Sequence, residues 1–279
     1  GMQEEHELKF GQNGYVWRDY SEATQAIFKE RHGSPIPVID YGNSIGEGLP
    51  RVEPLRAAHQ RFREEQVRDE ACYYANLIRR QGQRAVGYFG ELFSAHDGIY
   101  AVGAAEELAP CLDIAVIDFN YFDGWILTPN PHTLPMLASY MANSGYEQVM
   151  VGAYAEQWVQ RDREEELLPV IRQSIETSLR NPAVIGFEVG GFQKGQSATL
   201  SGAMDVELLE RLSIDTAVAK QAPAPLRVGI LASRSNFYFW HGERSNDRNI
   251  HQDALTQAWA VLSNVPGLET VVFGETRLD

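Results

Sequence analysis

Six short apolar runs, each set off from the next by a helical pattern, constrain this chain more than anything else in it. They occupy residues 85–90, 113–119, 148–154, 183–187, 227–232 and 270–273. Each is nearly continuous in apolar residues, with little polar alternation. A sheet with one wet face alternates apolar and polar side chains; parallel strands covered on both faces do not. The runs therefore predict buried parallel strands.

Between them, apolar residues step by three and four. The longest predicted helix covers about 53–81, with Leu55, Ala58, Phe62, Val67, Ala71, Tyr74 and Ile78 as its stripe. A second covers about 163–179, with Leu167, Ile171, Ile175 and Leu179 at i+4 spacing. Its acidic start suits the positive end of a helix dipole, and Asn181-Pro182 stops it. Another starts at Ser21 and ends before Gly33, and shorter ones fall near 134–141, 206–219 and 253–262.

Strand, helix, strand with short joins means parallel crossovers. From 85 to 183 the runs recur about every 30 residues, the size of one unit of a (β/α)8 barrel. Weaker strand candidates at 7–10 and 36–39 raise the count to eight, although Pro35 and Pro37 suit a central strand poorly. The expected fold is α/β, a TIM-barrel-like parallel barrel, either incomplete or rearranged. A proline-bearing linker at 220–226 divides a barrel region, 1–220, from residues 221–279.

The formal net charge of −14 repels nucleic acid and anionic membrane, so neither is expected as a partner. No run approaches the roughly 20 apolar residues that span a bilayer. Nothing near the start reads as a signal peptide. The expected location is cytoplasmic, or secreted if the native chain is longer. The two cysteines, Cys72 and Cys111, lack metal-site spacing and read as buried free thiols. The seven histidines are scattered without His-x-x-x-His spacing and read as packing residues, so no metal is expected. No nucleotide-binding glycine fingerprint occurs, and no cofactor is expected.

The chemistry of a parallel barrel lies where its strands end. Glu91 follows the first run. Asp118, Asn120 and Tyr121 close or follow the second, and Tyr154, Glu156 and Trp158 the third. Glu188 follows the fourth. Breaking a glycosidic bond needs one carboxylic acid to protonate the leaving oxygen and a second carboxylate to attack carbon or activate water. Aromatic rings stack on sugar faces, and amides and acids bind hydroxyls. A solvated strand end is the bland reading of any single acid; four in succession beside aromatics make a carbohydrate site an even alternative.

The order of residues 20–33, the long helix holding Phe62-Arg63, and then 84–90 resembles the second half of a clan A glycoside hydrolase barrel, nearest the family 42 β-galactosidases. Residues 112–121 resemble that family's sixth strand, 148–156 its seventh and 181–187 its eighth. The resemblance implies a retaining glycoside hydrolase with a carbohydrate ligand. Glu156 is then the nucleophile, and Tyr121 and Tyr154 line the sugar site. The family's acid/base sits in an Asn-Glu pair that this chain lacks. Glu7, at the head of the weak first strand, is the nearest acid in that place, and Glu91 is the next carboxylate in the set. Residues 221–279 resemble the start of the flavodoxin-like domain that follows the family's barrel; the alternative is a last βα unit. A half barrel leaves sheet edges that a partner chain would cover, and a homo-oligomer is one such arrangement. Two other readings stay open: a non-catalytic sugar-binding or assembly module, and a metal-dependent isomerase or aldolase.

Overall fold

The computed structural model describes residues 21–36, 54–90, 92–93, 102–120, 130–154, 164–190, 226–236 and 250–278. The fold is mixed α/β with parallel sheets. Helix α1 (Glu22–His32) starts at Ser21, whose hydroxyl accepts from the Thr24 N–H at 3.3 Å, and stops at Gly33 in the left-handed conformation. That cap pair is the one expected from Ser before and Gly after a helical pattern. Phe28 of α1 is buried edge-on against Phe62 of α2 (Pro54–Arg80), ring centroids 5.5 Å apart.

Four strands follow: β1 (Val86–Gly90), β2 (Ile114–Asn120), β3 (Gln148–Tyr154) and β4 (Val184–Gly190). They are joined by α3 (Val102–Leu108), α4 (Thr133–Ser144) and α5 (Glu164–Leu179). Their order across the sheet is that of the chain, and all three pairings are parallel. Of the joining helices, α3 has no counterpart in the sequence reading. The weak strand at 7–10, most of 36–39 and the helix at 206–219 lie outside the described residues.

One side of this sheet makes the core. Phe89, Ala115, Ile117, Phe119, Val149, Val151 and Ala153 join Leu134, Leu137 and Met141 of α4 and Leu167, Ile171 and Ile175 of α5 in one cluster. Each such Phe, Leu, Ile, Val or Met side chain taken from water contributes about 1.5–3 kcal/mol. The alternate residues Tyr88, Val116, Asp118, Met150 and Glu188 stand on the other side and are not in that cluster.

Strands β5 (Leu226–Ala232) and β6 (Leu268–Gly274) form a separate two-stranded parallel sheet, joined by α6 (Ile250–Ser263). This unit packs on α4: the Val272 N–H donates to Ser139 Oγ at 3.0 Å, and the Thr256 and Thr133 hydroxyls meet at 3.3 Å. Helix α4 touches β2 and β3 on one side and β6 on the other. That explains why every residue from Thr133 to Met141 is buried.

The cysteines correct the sequence reading. Cys72 of α2 and Cys111, between α3 and β2, are not free thiols but a disulfide, with Cα atoms 5.2 Å apart. Packing of α2 on α3 brings them together across 39 residues of sequence, a proximity that no local spacing encodes.

Candidate active site at the sheet's carboxyl edge

The register puts two predicted site residues in one row. Gly90 pairs with Asp118, Asp118 with Gly152, and Gly152 with Glu188. Paired residues in neighbouring strands point to the same face. The row therefore reads glycine, carboxylate, glycine, carboxylate, on the side away from the main core. Strands lie about 4.7–4.9 Å apart, so the Asp118 and Glu188 backbones are about 9–10 Å apart across a residue with no side chain.

A register shift sets this arrangement. Val149 pairs with Val184, but Met150 pairs with Gly186, so Ile185 is an extra residue in β4. Were Ile185 paired in regular order, Glu188 would fall opposite Ala153, on the helix side. Ile185 itself is 50 % exposed.

Tyr88, one turn of the pleat before Gly90 on β1, donates its hydroxyl to Glu188 Oε1 at 3.4 Å. The contact bridges β1 and β4 over two intervening strands. Asp118 and Glu188 are both half-buried. They are neither sealed in the core nor fully solvated, as a carboxylate that meets a ligand must be.

Asn120 and Tyr154 are register partners at the last step of β2 and β3. Glu7, Glu91, Tyr121, Glu156 and Trp158 lie outside the described residues. Among the described residues, no group of three or more His, Cys, Asp or Glu side chains is placed to hold a metal ion.

A second charged centre escaped the sequence reading. Arg234, just past β5, is largely buried, with Glu107 at 3.2 Å, Glu64 at 3.6 Å and Glu275 at 3.7 Å. Burial works against the Arg234 charge, but Glu64, Glu106 and Glu107 outweigh it and raise its pKa. Burial likewise pushes the Glu275 carboxyl up. Donors from Ser233 and Ser235, with Arg234, overcome that and hold it below the usual carboxylate range. The Ser235 N–H and hydroxyl reach Glu275 at 3.1 and 2.9 Å. This network ties the ends of β5 and β6 to α2 and α3. Arg234 and Glu275 are themselves strand-end residues, so reading past the last two runs as past the first four would have found them.

No family model matches the chain, and no curated protein matches it.

Proposed function

We propose that this chain is a carbohydrate-active protein, a retaining glycoside hydrolase on a barrel-type (β/α) sheet, with its site on the face of Tyr88, Asp118 and Glu188. The observation that carries the reading is the Asp118–Gly152–Glu188 row with Tyr88 reaching Glu188 across the sheet.

Strand order equal to chain order, with the helices packed on one side, supports a barrel over a doubly wound sheet. A doubly wound sheet reverses its order and covers both faces. Side chains stand roughly perpendicular to a sheet, and β1 and β4 would be about 14 Å apart if it were flat. The Tyr88–Glu188 contact therefore favours a sheet curled toward that face. Gly152 leaves a gap between the two carboxylates and Gly90 another beside Asp118, which gives room for a sugar ring. Asp118 and Glu188, with Asn120, Tyr121, Tyr154 and Trp158, then bind hydroxyls and stack on the ring.

Glu156, two residues past the end of β3, is the proposed nucleophile, with Glu91 or Glu7 supplying the acid. The β5–α6–β6 unit, whose strands do not join the four-stranded sheet among the described residues, fits the start of a flavodoxin-like region. The disulfide favours an oxidising compartment over the cytosol.

The test is hydrolysis of a panel of aryl glycosides. Glu156→Gln is expected to lower kcat by about a thousandfold or more. Asp118→Asn and Glu188→Gln are expected to raise KM instead. Undiminished turnover in Glu156→Gln, or no turnover and no sugar binding in the wild type, would remove the proposal.

A further inference from the structure

Near its carboxyl end, α2 turns an apolar stripe to solvent. Tyr73 is 61 %, Tyr74 47 % and Leu77 39 % exposed. The tyrosine rings meet edge-on, centroids 5.5 Å apart. Ala75, on the opposite side of the helix, lies in the main core, and Ala71 and Ile78 pack against it. Exposed Glu70 and Arg80 close the stripe at its two ends.

Glu70, Tyr73, Leu77 and Arg80 step by three, four and three, so they share one helix face. The order is acid, aromatic, aliphatic, base. Turned end for end about position 75, the stripe complements itself: Glu70 falls opposite Arg80, and Tyr73 opposite Leu77. Among the described residues, no ion pair engages Glu70 or Arg80 on its own chain.

A contiguous exposed apolar stripe with charged ends is the form of an interaction surface. Self-complementarity about a midpoint is the property of a two-fold interface, where residue i meets j and j meets i. We infer that this stripe is a homodimer contact, with α2 of one copy packed antiparallel on α2 of the other and Glu70–Arg80 pairs at both ends. A stripe about 15 Å long is a small contact. The dimer is accordingly concentration-dependent, and the charge pairs set its register.

Sedimentation velocity of the full chain over a wide concentration range tests this. The mass is expected to pass from one chain to two. Glu70→Arg and Arg80→Glu each place like charges opposite each other and are expected to weaken association about tenfold or more. The double variant E70R/R80E restores both pairs and is expected to regain wild-type association. A wild type that stays monomeric overturns the inference. So does a dimer indifferent to all three variants, which would place the interface, or another partner's site, elsewhere.

Discussion

Glu106 is the residue on which the two sheets depend for their junction. It is 4 % exposed. Its carboxylate accepts from the Tyr140 hydroxyl at 3.0 Å, the Thr276 N–H at 2.9 Å and the Thr276 hydroxyl at 2.6 Å. Gly274 lies so close that an added Cβ would stand 2.0 Å from the carboxylate carbon. Three donors fix that carboxylate, so it cannot step aside. Gly274→Ala is expected to cost about 1–3 kcal/mol, seen as a lower urea midpoint at unchanged slope; an unchanged midpoint would show that the junction yields. His251 gives a pH signature in the same region. It packs against Phe93 with ring centroids 5.4 Å apart. Burial lowers its pKa to about 4, against a smaller opposing pull from Glu275. Between an unfolded value near 6.5 and that folded value, the unfolded chain binds a proton that the native chain does not. Stability is therefore full above pH ~6.5 and falls as pH drops toward about 4. After allowance for solvent screening the loss is about 1–2 kcal/mol. Urea titrations across that range should show the slope reduced in His251→Gln, and an equal slope in both proteins would refute the assignment.

At the scale of elements, strand existence was legible and strand alignment was not. All six apolar runs are strands, but not all are covered on both faces as their continuous apolar character implied: most of β5 and Ile185 of β4 stand exposed. The i+4 stripe of α5 was equally plain, and Leu167, Ile171 and Ile175 are buried as it requires. Helix α3 was missed because seven residues, Val102–Leu108, are too few to show a period. The burial of α4 on two sides depends on β6, more than a hundred residues away, so no local pattern contained it. The same holds for the site. Asp118 and Glu188 were each readable as strand-end acids, but their common row requires one residue of β4 to stand out of the ladder, which no local pattern shows. That point is testable at Ile185. Substituting Ile185→Ser changes an exposed side chain and should cost no more than about 0.5 kcal/mol. Deleting Ile185 removes the bulge and leaves Gly186, Phe187 and Glu188 opposite Met150, Val151 and Gly152. The deletion is therefore expected to fold and to cost no more than about 1–2 kcal/mol. A loss above about 4 kcal/mol, or failure to fold, would mean that Ile185 is a regular member of the ladder and that Glu188 does not share the row of Asp118.

For the whole molecule, α2 is the strap that binds distant parts into one body. Its Glu64 faces Arg234 beyond β5, its Arg79 holds Asp113 before β2 at 2.7 Å, and its Cys72 is bonded to Cys111. The disulfide closes a segment of 39 residues that contains β1 and α3. In the chain-entropy account, a loop of that length restricts the unfolded chain by about 4 kcal/mol; native packing and residual structure commonly reduce the measured gain to about 2–4 kcal/mol. The gain acts on the unfolded state, so removing the bond should leave the native sheet and its Asp118–Glu188 row in place while lowering the unfolding midpoint. The double variant C72S/C111S and the reduced wild type are expected to unfold at the same, lower urea concentration. The oxidised wild type should resist alkylation until it is unfolded and reduced. Labelling of both thiols in the native, unreduced protein would refute the cross-link. Equal stability of C72S/C111S and oxidised wild type would instead show that the contacts of Arg79 and Glu64 hold the strap without it.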